Sequence, residues 1–201
     1  MTIKAVLWDW TGHFRRRGAD GASRTNEVMN EVTDATAPIV VPLQELLAGG
    51  NHVVSVMPVG VVQRTGRTPA EPRALADRLY RAGGVALKVA AVRPVPPPWR
   101  DRLHQLVAAQ IPTTASWSSR QPPRQELSAQ QIERVTALTD ELADVIEARL
   151  GPISSAFEMS SHSGDYRAAA RDIAYSYDLS WDDLLLVSDG WGALLHIGLT
   201  D

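Results

Sequence analysis

Lys4-Ala5-Val6-Leu7-Trp8-Asp9-Trp10-Thr11-Gly12-His13 and Leu184-Leu185-Leu186-Val187-Ser188-Asp189-Gly190-Trp191-Gly192 decide how this chain is read. Each is a short apolar run that ends in a carboxylate and a glycine turn. A continuous apolar run of this length fits a strand buried on both faces, the pattern of parallel sheets covered by helices. In open α/β sheets, ligands bind outside the carboxyl ends of the strands. Asp9 and Asp189 are therefore the first candidates for chemistry.

Between these stretches the elements alternate. Arg15-Arg16-Arg17 and the polar residues to 38 form an excursion, with a short helix expected over Asn26 to Val32. The arginines are either a solvated loop or a clamp for substrate phosphate, since the guanidinium fork matches phosphate geometry. Pro42 to Ala48 predicts a short helix stopped by Gly49-Gly50, followed by a buried strand over 52–58. Thr68-Pro69-Ala70-Glu71 opens a further helix, with Leu75, Leu79 and Tyr80 as its apolar face, that Gly83-Gly84 end. Val85 to Val92 is a third strand, with Lys88 inside it, either at an edge or snorkelling. Arg93-Pro94-Val95-Pro96-Pro97-Pro98-Trp99 is a proline connector docking Trp99, ahead of a helix from Trp99 to Ala109. Residues 112–126 predict a mobile loop, so that 94–126 is expected to be an irregular insertion. Ser128-Ala129-Gln130-Gln131 is a capping box. It opens the clearest amphipathic helix, ending near Leu150-Gly151-Pro152. A strand over 153–159 and a helix from Gly164 to about Tyr177 precede the second apolar run.

Val6-Leu7-Trp8-Asp9-Trp10-Thr11-Gly12 resembles the first motif of the haloacid dehalogenase-like superfamily: apolar residues, an Asp nucleophile, then Gly after one more polar position. Tyr166-Arg167-Ala168-Ala169, Asp182 to Asp189 and Ala193 to Gly198 resemble its C-terminal segment. There a helix, an acidic turn, an apolar strand, a magnesium-binding acid and a final helix follow one another. The resemblance implies one domain over 1–201 with a doubly wound, mainly parallel α/β sheet of the Rossmannoid type. It implies a magnesium-dependent phosphoryl hydrolase. Asp9 would be nucleophile and metal ligand, Asp189 a second ligand, and Thr11 a ligand through its backbone carbonyl where many relatives carry an acid/base Asp. Neighbouring parallel strand tips lie about 5 Å apart, and two carboxylates at that spacing need a cation between them. Magnesium would leave one Asp9 oxygen free for in-line attack on a small phosphorylated substrate.

The chain departs from the pattern at several positions. Met57 stands at the strand tip where a phosphate-binding Ser or Thr is usual, and Ser55 is the nearest hydroxyl. No Lys stands shortly before Tyr166, where Ser160, Ser161 and His162 occupy the region, which leaves Arg93, Lys88 or the arginine triplet to neutralise phosphate. Ala193 replaces the second acid. His13 and His162 are further base candidates, whereas Trp8 and Trp10 fit packing. These losses support a second reading, a catalytically inactive member of the same fold that acts as a binding or structural module.

Composition bounds the alternatives. The formal net charge is −3 and 44% of residues are hydrophobic, so no global field favours nucleic acid or an anionic membrane. No apolar run reaches the roughly 18 residues of a membrane span. The absence of cysteine excludes disulfides and thiol chemistry. A cytoplasmic location is the expectation.

Overall fold

The computed structural model describes residues 22–48, 53–64, 71–83, 89–111, 126–161 and 180–200. The elements are α1 (Ala22–Leu47), β1 (Val53–Gln63), α2 (Pro72–Ala82), β2 (Val89–Pro94), α3 (Trp99–Ala109), α4 (Ala129–Leu150), β3 (Ser155–Ser161), β4 (Ser180–Val187) and β5 (Trp191–Thr200). The strands form one sheet in the order β1-β5-β4-β3-β2. Every neighbouring pair is antiparallel.

This corrects the expected doubly wound parallel sheet. The physical reason lies in β4. Residues 183–188 are all buried, because helices cover both faces of the sheet. A strand covered on both faces shows a continuous apolar run whichever way its neighbours point. The expected final helix over Ala193 to Gly198 is instead the middle of β5. Asp189-Gly190 is the turn of a hairpin in which Val187 faces Gly192. The Rossmannoid resemblance at the C-terminal segment therefore does not describe the fold.

Alternation along the strands divides the interior in two. Val54, Val56, Ala156, Leu184, Leu186, Leu195 and Ile197 point to a layer made by α1, α3 and α4. Val59, Val62, Met159, Leu185, Val187 and Leu194 point the other way, against Leu75, Ala76, Leu79 and Tyr80 of α2. A bulge between Pro58 and Gly60 reverses the alternation of β1. Before it, even-numbered residues face the three-helix layer; after it, Val61 does. Proline cannot donate to a ladder, and a bulge on an edge strand is where it fits.

α2 joins the two edge strands. Their separation is about 19 Å, four steps of about 4.8 Å, and eleven helical residues span about 16 Å. The helix lies close to the sheet because glycines allow it. A Cβ on Gly60 would stand 2.7 Å from the Leu79 carbonyl oxygen, and one on Gly192 would stand 2.9 Å from the Leu75 side chain.

α1 unites the two short helices expected at 26–32 and 42–48 into one of 26 residues, despite Pro38 and Pro42 within it. Pro38 removes the bond to the Asp34 carbonyl, but both residues are exposed, so that carbonyl faces water. α3 and α4 match their expected spans closely; α2 ends before Gly83 as expected but begins at Pro72 with Glu71 as its N-cap, in place of the start expected at Thr68-Pro69, and Thr68 to Ala70 lie outside the described residues. α4 carries the full capping box between Ser128 and Gln131. α3 turns Leu103, Leu106 and Val107 into the core and buries Trp99, so 99–109 is an ordered part of the expected 94–126 insertion. Trp99 Nε1 donates to Glu147 at 3.0 Å, and Arg100 bonds Asp144 at 2.6 Å and Glu147 at 2.5 Å, which clasps α3 to α4.

Candidate functional site

The residues expected at the phosphoryl site do not come together where they can be followed. Asp9 and Thr11 lie outside the described residues, as do Lys88, Arg15 to Arg17, His13 and His162. Asp189 is exposed in the β4–β5 turn rather than at the tip of a parallel strand. Ser55 is half-buried on edge strand β1, opposite Gly198. Arg93 is exposed on the other edge strand, β2, opposite Glu158. Three strands separate Ser55 from Arg93. Among the described residues, no three His, Asp or Glu side chains gather as a metal ion would require. Of the three magnesium ligands that the resemblance implied, Asp189 alone falls among the described residues.

The turn itself is firmly held. The Ser188 hydroxyl donates to the Leu150 carbonyl at 2.6 Å and accepts from the Trp191 N–H at 3.1 Å. The Arg64 N–H donates to the Gly190 carbonyl at 2.9 Å, and its guanidinium donates to that of Ser188. These bonds tie the hairpin to α4 and to the end of β1. They account for Ser188 and Arg64 by anchoring the turn.

A different constellation lies in the interior. Asp183 on β4 and His196 on β5 are direct cross-strand partners. His196 Nδ1 is 2.8 Å from Asp183 Oδ1. The Tyr80 hydroxyl, reaching down from α2, donates to Asp183 Oδ2. Tyr80 and His196 are 0% exposed and Asp183 is 1% exposed. Among the described residues, Leu75, Leu79, Leu185, Leu194 and Met159 form the apolar cluster to which the Tyr80 ring belongs. Burial of a charge requires such pairing, and a paired network in a low dielectric fixes its members in one arrangement.

Local structure explains the convergence. Asp182 and Asp183 are successive residues of a strand, so they point to opposite faces. Asp183 turns inward under α2. Asp182 turns toward the three-helix side, near the ion pair that Arg102 makes with Glu158. Desolvation raises the Asp182 carboxyl above its ordinary value, although Asp182 as a residue remains exposed. Tyr80 is on the inward stripe of α2 with Leu75, Ala76 and Leu79.

Reading Asp182-Asp183 as an acidic turn hid this network. The signal was present: once Asp189-Gly190 is taken as a hairpin turn, the register that sets Val187 opposite Gly192 also sets Asp183 opposite His196. Tyr80 was legible only as an apolar-face residue. Comparison with protein families, with curated proteins and with solved structures gives no match for this chain.

Proposed function

We propose that this chain is a binding or structural module, in which the Tyr80–Asp183–His196 network holds α2 on the β4–β5 hairpin instead of performing acid–base catalysis. The observation that carries this reading is the full burial of all three side chains. A general base must come within hydrogen-bond reach of the proton it takes, and buried groups facing one another across three elements serve that role poorly. The magnesium phosphoryl hydrolase reading draws no support from Asp189, which lies in a turn between antiparallel strands, and its nucleophile Asp9 lies outside the described residues.

Charge narrows the partner. The exposed residues of α1 and α4 include the eight carboxylates of Glu27, Glu31, Asp34, Glu45, Glu133, Asp140, Glu141 and Asp144, against three arginines. That layer repels polyanions, which favours a protein partner over nucleic acid or an anionic lipid surface. No helix among the described residues is long and apolar enough to cross a membrane.

Imidazole acylation by diethyl pyrocarbonate, mapped by peptide mass spectrometry, tests the reading. His104, whose side chain is 30% exposed beside Asp140, is expected to react quickly in the native protein. His196 is expected to react only as fast as the protein unfolds, and at the His104 rate once denaturant is added. Native-state acylation of His196 at a rate comparable to His104 would show a reachable base and return the site to catalysis.

A further inference from the structure

We draw no further inference here: the strongest candidate, the outward surface of the α1 and α4 layer, where Val41 and Ile132 stand exposed among carboxylates, carries nothing because nothing in the structure shows what covers it.

Discussion

Tyr80 gives the most direct measure of what the buried network contributes. Tyr80→Phe keeps the ring in its apolar setting and removes one donor from the Asp183 carboxylate. Hydrogen bonds to charged groups contribute about 1.5–3 kcal/mol, so the variant is expected to lose that much in urea denaturation. His196→Asn is expected to cost more, and the pair to be non-additive by about 0.5–3 kcal/mol, because both act on one carboxylate. Strict additivity would mean that the two donors are energetically independent and that the network is not a unit. Two other carboxyls set opposite pH dependences. Burial pushes Glu147 up, but hydrogen bonds from Arg100 and Trp99, with the Arg100 charge, outweigh it and hold the group below its ordinary value. A depressed carboxyl stabilises the fold above its unfolded pKa, and that contribution disappears as pH falls through the folded value. Asp182 is raised, chiefly by desolvation. Its contribution is favourable below the unfolded pKa and is lost as pH rises through the folded one. Near neutrality, Glu147→Gln should therefore lower the denaturation midpoint and Asp182→Asn should raise it. At about pH 3, below the ordinary carboxylate values, both effects should shrink. An Asp182→Asn variant less stable than wild type near neutrality would contradict the sign assigned to burial there.

The α2 helix depends on how near its backbone lies to β1. A Cβ on Gly60 meets the Leu79 carbonyl, which cannot swing aside, whereas nothing lies within 4 Å of a Cβ on Gly190. Gly60→Ala should cost about 1–3 kcal/mol, as overpacking does, while Gly190→Ala should stay within about 0.5 kcal/mol. Thermal melts of the two variants decide it, and a Gly60→Ala protein as stable as wild type would mean that α2 stands further from the sheet. The same helix shows how far sequence reached. Its apolar stripe at Leu75, Leu79 and Tyr80 and its glycine stop were legible because an amphipathic helix carries its own period and punctuation. The capping box of α4 was legible for the same reason. Strand direction was not. Leu184 to Val187 is an apolar run without alternation, and such a run reports burial on both faces while saying nothing of a neighbour's direction. The final strand was misread because the resemblance implied a helix over Ala193 to Gly198, a reading that gave His196 no role. That histidine has a reason only when Asp183 is opposite, a fact of register that single-segment periodicity does not contain.

Across the whole molecule, the two apolar clusters are joined through β4 and β5. Leu184 and Leu186 belong to the cluster under α1, α3 and α4, and Leu185 and Val187 to the one under α2. Leu195 and Leu194 divide in the same way on β5. Opening the central hairpin therefore exposes both clusters at once and breaks the Tyr80–Asp183–His196 network. Opening edge strand β2 exposes less, since Val89 is its one buried residue, Ala90 to Val92 are half-buried and Arg93 and Pro94 are exposed. The free energy of a local opening rises with the apolar surface it uncovers. Native-state hydrogen exchange is expected to find the amides of Leu184 to Leu186 and of Leu194 and Leu195 exchanging only through global unfolding, with the full denaturant dependence of that transition. The β2 amides should exchange through smaller openings with a shallow dependence. In Tyr80→Phe, protection of the central amides should fall by the same free energy as global stability, because the network and the hairpin open together. Central amides that exchange with a shallow dependence in the wild-type protein would mean that the clusters unfold separately. The network would then hold α2 alone and not the sheet.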